Sequence, residues 1–377
     1  MDVITGKEPT LLPKDSGSVQ VLILWADDSS PNLGVRALGR GTEALVRRAW
    51  PDATITFQNY GHRSPHMPVG RLRSLVREQA TGSLGMQKWL SGFDVVVDTR
   101  SGDSFADIYG LQRHAIMTAV AACALRARVP LILGPQTIGP FNTLRGRLLA
   151  RCSLWGVKIL MARDTESAAE AARLGRAVDV LTTDVVFALD IPQVGKTRDV
   201  ILNISGLLWN ENPHVDFRSY RNSIARLHDL MLARGRRITV MAHVLDSGNS
   251  DNDVPAIHEF IESSRSSAEI VIPTGLDDVR EVVASGNVVI GSRMHACLNA
   301  LSVGTPAIPL AYSRKFEPLF RGLGWEHTVD LRDETIDPVA AVLKHLEVTD
   351  LEKDVSALVH RAHESLALAE KALKALT

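Results

Sequence analysis

Short apolar runs alternate with longer amphipathic stretches along most of the chain. In the first half, strand-like runs bounded by turn residues occupy residues 19–25, 53–57, 95–98, 131–134, 159–161 and 178–181. Helical patterns lie between several of these runs, at residues 41–49, 111–127 and 165–174. Regular alternation of strand and helix predicts a parallel sheet with helices on both faces.

A second series of the same kind follows. Its strand-like runs occupy residues 200–204, 238–242, 270–272, 288–290 and 307–310. The helical pattern at 220–233 carries Ile224, Leu227 and Met231 on one face, the spacing of a buried stripe. The sequence therefore predicts an α/β protein with two Rossmann-like domains, whose parallel sheets face each other across a cleft.

Breaks in the pattern set the predicted domain boundaries. Residues 1–18 are polar, lack the apolar centre of a signal peptide, and are predicted to be a flexible tail. The first domain is expected at 19–190, a linker at 191–199 and the second domain at 200–350. The last segment, 351–377, has an apolar stripe of helical spacing, and packing back on the first domain is one option for it.

Basic residues follow two neighbouring strands of the second domain. Ser292 is placed as the N-cap of a helix that opens with Arg293 and His295, and Arg314 and Lys315 follow the next strand. Parallel strands of one unit end at the same edge, so these side chains are expected to collect around a helix N-terminus, which favours anions. A lone histidine in a first helical turn is more often a surface or capping group, and Lys315 as a solvated loop charge stays open.

Several segments carry a family resemblance. The S-R-M-H segment at 292–295, G-T-P at 304–306 and the strand leading to residues 312–316 resemble the C-terminal signature of the polysaccharide pyruvyl transferase family. G-P-Q-T-I-G-P at 134–140 resembles its G-Q-x-I-G-P loop, and R-D-T-E-S at 163–167 resembles its R-(D/E)-x-x-S helix start. The matches span about residues 20 to 330 in the family's order, which implies a GT-B-like arrangement of the two domains.

Two departures fall in the first domain, which the resemblance implies is the acceptor side, with the second as donor side. Many family members have N-x-G-D near the first helix, whereas Val35 follows Asn32-Leu33-Gly34 here. A glycine run after the strand at 95–98 is replaced by Arg100-Ser101-Gly102-Asp103-Ser104. These differences leave the identity of the acceptor open.

The family reaction moves the enolpyruvyl unit of phosphoenolpyruvate onto two hydroxyls of one sugar, giving a pyruvate ketal and phosphate. Such a step needs cations for the donor, an acid for its methylene carbon and a base for the sugar hydroxyl. The resemblance implies Arg293 and Arg163 as cations, and His295 is the best acid. Lys315 is expected to neutralise the leaving phosphate. A salt bridge of Arg163 with its neighbours Asp164 or Glu166 is the structural alternative.

Asp103 and Asp107 are the candidates for the base, with Asp103 preferred and Asp107 as a substrate-binding residue. A helix starting at Ser104 would place both at its first turn, and helix capping by Asp103 is an equal alternative. The other expected substrate-binding residues lie in loops after strands or at helix starts. They are Ser292, Arg314, Gln136, Thr137, Asn32 and His243. The loop holding Gln136 and Thr137 could be only a turn, and His243 could cap a neighbour.

Composition limits the alternatives. With 45% hydrophobic and 23% charged residues, 377 residues suffice for two cores. The formal net charge of -1 and the pI near 6.9 give no general attraction to nucleic acid, so anion binding must be local. Three widely spaced cysteines fit reduced thiols in a cytoplasmic protein, and no apolar run reaches transmembrane length.

No metal and no cofactor are expected beyond phosphoenolpyruvate as donor substrate. His62 and His66 are separated by Pro65, which prevents a shared helical face, and the acid pairs at 27–28 and 277–278 are of a kind common in loops. No complete G-x-G-x-x-G follows the first strand, so nicotinamide binding is not predicted.

Three functions are therefore carried forward. The first is a pyruvyl transferase acting on a sugar of a glycan or glycolipid precursor. The second is a glycosyltransferase of GT-B type using a nucleotide sugar, for which Glu317 is the candidate ribose-binding acid, and the third is a noncatalytic sugar-binding protein. A lipid-linked acceptor, a peripheral position at the inner membrane face and the oligomeric state are left open.

Overall fold

The computed structural model describes residues 17–60, 69, 72–245, 251–348 and 350–376. Most of the predicted tail and the pair His62 and His66 lie outside the described residues. Within them the chain forms two six-stranded sheets in which every neighbouring pair of strands is parallel.

The first sheet carries six strands in the spatial order β2-β1-β3-β4-β5-β6. They are β1 (Gln20–Leu24), β2 (Thr54–Gln58), β3 (Val95–Asp98), β4 (Leu131–Leu133), β5 (Ile159–Ala162) and β6 (Val180–Leu181). The helices are α1 (Leu33–Ala49), α2 (Leu72–Thr81), α3 (Met86–Leu90), α4 (Leu111–Arg126), α5 (Leu144–Leu154) and α6 (Thr165–Arg173). Strand β1 is apolar from Val21 to Leu24 because both faces are buried there: Val21 and Ile23 join one core cluster, and Leu22 and Leu24 the other.

The second sheet has the order β12-β11-β10-β7-β8-β9. Its strands are β7 (Arg198–Asn203), β8 (Ile238–Met241), β9 (Glu269–Val271), β10 (Gly286–Gly291), β11 (Ala307–Ala311) and β12 (Val329–Asp330). The remaining helices are α7 (Gly206–Trp209), α8 (Phe217–Ala233), α9 (Asp253–Ser264), α10 (Leu276–Ala284), α11 (Met294–Ser302), α12 (Phe316–Gly322), α13 (Pro338–Leu346) and α14 (Leu351–Lys374). Strand β12, which the sequence did not predict, is two residues long and so leaves no apolar run to detect.

Helix α1 is longer than its sequence pattern suggests. It begins at Leu33, eight residues before the predicted start, because the Asn32 side chain caps it by accepting a hydrogen bond from the Gly34 amide at 2.9 Å. Its glycines weaken the helical signal but allow close packing. A Cβ at Gly41 would lie 2.4 Å from the Val185 carbonyl oxygen, so a larger residue there would force α1 away from this turn.

The two domains are joined at the back of the cleft. A 3₁₀ turn, Val185–Ala188, follows the first sheet and packs against α1, and β7 begins at Arg198. The final helix α14 contacts α1 and β6 of the first domain and α11 of the second. Its buried face consists of Val355, Leu358, Ala362, Leu366, Ala369 and Leu373. Because α14 touches both domains, it links them in addition to the chain connection between the sheets.

His114 lies in the core beneath the first sheet. The ring on α4 is fully buried between Phe105 and Phe141, with centroids 5.6 and 5.4 Å away, and its Nε2 is 3.3 Å from the Gly146 carbonyl oxygen. Burial, reinforced by the charge of Arg100, lowers the pKa of His114 from 6.5 to about 4. The folded protein therefore holds this imidazole neutral at pH values where the unfolded chain protonates it.

We expect this histidine to weaken the fold in mild acid. The pKa of His114 is lower in the folded state, so protonation of this ring favours the unfolded chain. The free energy of unfolding is unaffected by it above pH 6.5 and falls by about 1.4 kcal/mol per pH unit as the pH decreases toward 4. Urea denaturation of wild type and His114→Gln at pH 7 and pH 5 measures how much of the loss of stability in acid is due to His114. The free energy of unfolding should fall less in the variant, and equal falls in the two proteins would contradict the expectation.

Candidate active site

The carboxyl edges of the two sheets face a cleft of about 590 Å³ between the domains. Loops after β3 and β4 and the start of α1 form one wall, and loops after β10 and β11 form the other. The cleft is lined by residues that include Asn32, Asp103, Thr137, Arg293, Arg314 and Lys315. Side chains that are far apart in sequence are thus brought to one place by the strand-end loops of two sheets.

Three further side chains meet behind this lining, where the domains touch. Arg163, which follows β5, donates from Nη1 to Asp184 Oδ2 at 2.7 Å. His295 Nε2, from the first turn of α11 in the second domain, lies 3.5 Å from the same oxygen. Arg163 and Asp184 are almost completely buried, and the His295 side chain keeps 19% exposure. One carboxylate therefore contacts the candidate acid and a candidate cation at once.

The charge of Asp184 is fixed by these neighbours. Burial alone would raise the pKa of its carboxyl, but the charges of His295 and Arg163 outweigh burial and hold the pKa below its usual range. Arg163 does not pair with Asp164 or Glu166, so the alternative considered from the sequence is wrong. The Asp164 side chain instead accepts from the Ser167 amide at 2.7 Å and caps α6.

The imidazole of His295 is also confined by the start of α1. A Cβ added at Gly34 would lie 2.9 Å from His295 Nδ1, closer than side chains approach one another. Gly34 therefore leaves the space that the ring occupies. The sequence showed only that Gly34 belongs to the altered N-x-G-D segment, and the structure gives its physical reason.

Arg293 is already engaged by two carboxylates. Its Nη1 donates to Asp251 at 2.7 Å, and its Nη2 donates to the fully buried Asp253 at 2.7 Å. Burial lowers the pKa of Arg293, but both carboxylates outweigh it and leave the pKa above its usual range. Arg293 is thus a charged, oriented side chain at the cleft, and a ligand anion would meet its charge partly neutralised by Asp251 and Asp253.

Asp103 and Lys315 form an ion pair across the cleft. Lys315 Nζ donates to Asp103 Oδ2 at 2.7 Å, and the Tyr109 hydroxyl donates to the same oxygen at 2.9 Å. Burial opposes ionisation of Asp103, but Lys315 outweighs it and lowers the pKa of the carboxyl. Burial and the neighbouring Asp103 raise the pKa of Tyr109 to about 12. Lys315 is therefore not a solvated loop charge.

No helix starts at Ser104, and Asp103 and Asp107 have different partners. The chain forms only a 3₁₀ turn, Asp107–Tyr109, and Asp103 caps no helix. Asp107 accepts from the amide and the hydroxyl of Thr143, at 2.7 and 2.9 Å, at the start of α5. The structure therefore separates the two carboxylates and leaves Asp103 alone at the cleft.

The remaining second-domain candidates, Ser292, Arg314 and His243, lie in different environments. Ser292 does not cap α11, whose N-cap position is Arg293; its hydroxyl bonds to the buried Tyr220 hydroxyl at 2.8 Å. Arg314 reaches the first domain, with Nη2 3.3 Å from the Gly139 carbonyl oxygen. His243 is buried, with Nε2 3.4 Å from the Asn299 amide nitrogen, and burial, with the charges of His295 and Arg293, lowers its pKa well below 6.5.

The loop at 134–140 places its two polar residues differently. Thr137 lines the cleft and accepts from Arg163 Nε at 2.9 Å. Gln136 is fully buried, and its side-chain amide has no hydrogen-bond partner among the described residues. Direct ligand contact is thus available to Thr137, whereas Gln136 lies behind the lining.

Arg100, one of the residues that replace the glycine run, does not add a cation to the cleft. Its guanidinium is buried 3.0 Å from Asp98 and 4.7 Å from the Phe105 ring centroid. Burial raises the pKa of Asp98 and lowers that of Arg100. Arg100 and Ser101 have φ angles of 47° and 52°, a conformation that glycine adopts without strain. The replacement therefore gives a strained backbone beside Asp103.

Sequence reasoning missed the partners of the proposed catalytic groups. Asp184 follows β6 at the carboxyl edge of the first sheet, so the rule that singled out the other loops could have found it. Asp251 precedes α9 and Asp253 is its first residue, and neither belongs to a motif that the sequence analysis recognised. Tyr109 also lacked a signal, because its role depends on the fold of the loop after β3.

Neither a metal cluster nor a membrane span is apparent in the part of the chain that the structure describes. No group of three or more histidine, cysteine, aspartate or glutamate side chains is placed there to hold a metal ion. No described helix is both long and apolar enough to cross a membrane.

Comparison of the sequence with known proteins gives a consistent family match. The family model described as polysaccharide pyruvyl transferase matches residues 32–314. The amylovoran biosynthesis protein AmsJ of Erwinia amylovora is 22% identical over an alignment of 258 residues that covers 62% of this chain and 60% of that protein. The aligned region thus spans less than two thirds of that relative.

Solved structures of similar fold include several that hold nucleotides. UDP-GlcNAc 2-epimerase from Neisseria meningitidis bound to UDP-GlcNAc has a TM-score of 0.61 and 12% identity, covering 94% of this chain and 99% of that one. Anabaena Alr3699/HepE in complex with UDP and glucose has a TM-score of 0.56 and 12% identity, covering 95% and 97%. These similarities concern the fold alone and confirm the predicted GT-B-like class.

Proposed function

This chain belongs to the polysaccharide pyruvyl transferase family, and from that premise we propose that it transfers the enolpyruvyl unit of phosphoenolpyruvate to two hydroxyls of one sugar. The products are a pyruvate ketal and phosphate. The observation that carries the proposal is the contact of Asp184 with both Arg163 and His295. That contact joins a cation of one domain to the candidate acid of the other beside a cleft with further cations.

The proposed step is a proton-assisted addition followed by displacement. His295 protonates the methylene carbon of the donor, the central carbon becomes oxocarbenium-like, and the first sugar hydroxyl bonds to it. The second hydroxyl then bonds to the same carbon as the carbon–oxygen bond to phosphate breaks. Asp103 takes one hydroxyl proton and passes it to the departing phosphate, and the other hydroxyl proton restores His295.

Asp103 and Lys315 have linked roles in this proposal. Paired with Lys315, Asp103 is ionised but is a weak base, since its pKa is lowered. A donor phosphate attracts Lys315 and competes with Asp103 for it. The pKa of Asp103 then rises, and the carboxylate becomes a better acceptor for the sugar hydroxyl proton.

Nucleotide-sugar transfer remains the second candidate, because two neighbours of similar fold are described with UDP or a UDP-sugar. In this chain Glu317, the proposed ribose-binding acid, is not part of the cleft lining and has a side chain 67% exposed. The cations Arg293 and Lys315 at the cleft suit a small, highly charged donor better. The pyruvyl transfer is therefore the better supported function.

A donor and acceptor screen tests the choice. Purified protein is incubated with phosphoenolpyruvate and a panel of sugars, and phosphate release and pyruvate ketals are measured; UDP-sugars form the parallel arm. Acceptor-dependent phosphate release with ketal formation supports the proposal. Transfer only from a UDP-sugar, or donor hydrolysis without any ketal, contradicts it.

Asp184→Asn tests the contact between the domains. The amide keeps the shape but loses the charge that orients Arg163 and His295, so we expect kcat to fall by roughly 100-fold. Steady-state phosphate release measures kcat.

The matched control is Asp179→Asn, which alters a partly exposed carboxylate of the same domain that pairs with Arg176. Asp184→Glu keeps the charge and should restore part of the rate. Wild-type kcat in Asp184→Asn would contradict the proposed role of this carboxylate.

A further inference from the structure

Helix α5 exposes a row of large apolar side chains. Leu144 and Leu148 on α5 and Trp155, the C-cap residue that directly follows the helix, are 82%, 63% and 78% exposed. Their spacing of four and seven residues places them along one side. All six tryptophans of the chain lie among the described residues, and Trp155 alone is largely exposed. Single exposed apolar residues are ordinary, whereas a row of three on one helix forms a patch that water solvates poorly.

The chain around α5 is free of acidic residues over a long stretch of sequence. No aspartate or glutamate occurs between Asp107 and Asp164, although the whole chain has a net charge of -1. On α5 itself Arg145, Arg147 and Arg151 are exposed, and Arg151 falls within the apolar row. Asp107, at the start of the helix, directs its carboxylate to Thr143 and not to these arginines.

We propose that this α5 face, formed by Leu144, Arg145, Arg147, Leu148, Arg151 and Trp155, docks on an anionic phospholipid bilayer. A helix with apolar and basic side chains and no acidic ones is suited to the boundary between lipid headgroups and acyl chains. Arginines inside and beside the apolar row can extend their charges to phosphates while their methylene stems stay in the apolar zone. Tryptophan is the aromatic residue most suited to that boundary.

The docking face lies close to the cleft. Thr143, the N-cap of α5, is bonded to Asp107, which opens the 3₁₀ turn ending at Tyr109. The Tyr109 hydroxyl in turn donates to Asp103 in the cleft. A sugar carried on a membrane lipid would therefore reach the cleft from the side of the docked helix. This consequence rests on the proposed function, whereas the docking itself does not.

Vesicle sedimentation tests the docking without any substrate. The full chain is mixed with vesicles of phosphatidylcholine alone or of equal parts phosphatidylcholine and phosphatidylglycerol, and the bound fraction is measured. Binding should require the anionic lipid and weaken with salt. Replacing one arginine should weaken it about fivefold, and Arg145→Gln with Arg151→Gln about 25-fold.

An apolar variant and a control complete the design. Leu144→Ser with Leu148→Ser and Trp155→Ser should abolish binding, and in wild type the emission of the exposed Trp155 should shift to shorter wavelength on binding. The control, Arg321→Gln with Leu368→Ser, removes an exposed arginine and an exposed leucine elsewhere and should bind like wild type. Thermal melting checks that all variants fold.

Three outcomes would overturn the proposal. One is equal binding to neutral and anionic vesicles, and another is wild-type binding by both α5 variants. The third is sedimentation of the free protein as a dimer that the α5 variants dissociate, without vesicle binding, which would assign the face to a second copy of the chain. Loss of pyruvyl transfer does not affect these measurements, so the two proposals fail separately.

Discussion

His295→Ala is expected to reduce turnover by about 100- to 10,000-fold, the usual contribution of a positioned acid. Donor affinity should stay within a few-fold of wild type, because the ring is proposed to give a proton and contacts anions only incidentally. Phosphate release gives the turnover, and calorimetric titration with phosphoenolpyruvate gives the affinity. The variant should fold normally, since Asp184 keeps its ion pair with Arg163.

His360→Ala is the matched control, because this histidine on α14 has a side chain 76% exposed and is remote from the cleft. It should retain wild-type turnover. If His295→Ala kept more than about a tenth of the wild-type turnover, the proton would have to come from another group.

Arg293→Ala should impair both stability and catalysis. The substitution leaves the buried Asp253 without its charged partner, and loss of one member of a buried ion pair costs about 3–5 kcal/mol. Backbone amides of His243, Val244 and Gly206 still donate to Asp253, so the lower end of that range is expected. Urea denaturation measures the loss, and steady-state kinetics with phosphoenolpyruvate should show a higher KM and a lower kcat.

Arg293→Lys separates charge from geometry. A lysine keeps the positive charge but cannot bond Asp251 and Asp253 together as the guanidinium does, so it should remain defective. Arg321 is an exposed arginine on α12, and Arg321→Ala serves as the control. It should change neither the free energy of unfolding nor the steady-state kinetics. Normal kinetics in the lysine variant would show that only a diffuse positive potential is needed.

Most strands of the two sheets could be predicted from the sequence because they are buried. Strands buried on both faces, such as β1, β3 and β10, are mostly apolar, and the turn residues that end them mark the carboxyl edge. That edge holds Arg163, Arg293, His295 and Lys315, which the sequence identified. Their placement around one cleft therefore follows from strand order and from the parallel direction of the strands.

Long-range partners could not be predicted in the same way. Asp184 meets His295 only because the 3₁₀ turn after β6 packs at the domain boundary, and Asp253 meets Arg293 from 40 residues away. Local signals also gave a wrong prediction where a tertiary contact determines the structure. Serine is a common N-cap residue, yet the Ser292 hydroxyl is bonded to Tyr220. Such choices depend on which loops become neighbours, and a single sequence does not encode that in any local pattern.

The buried bridge at Asp184 also constrains how the cleft can open. Separating the domains at this point would break the contact of the buried Asp184 with His295 and the packing of α11 against α1 and α14. The Lys315 to Asp103 pair, in contrast, is about a quarter exposed and is replaceable by solvent. The rotation axis should therefore pass close to Asp184, α1 and α14, and the widest excursion should occur at Lys315. Such a hinge motion would preserve the geometry around Asp184 and His295 in every cycle. The cleft would open on the side of Lys315 and Asp103, where donors enter and bulky products leave.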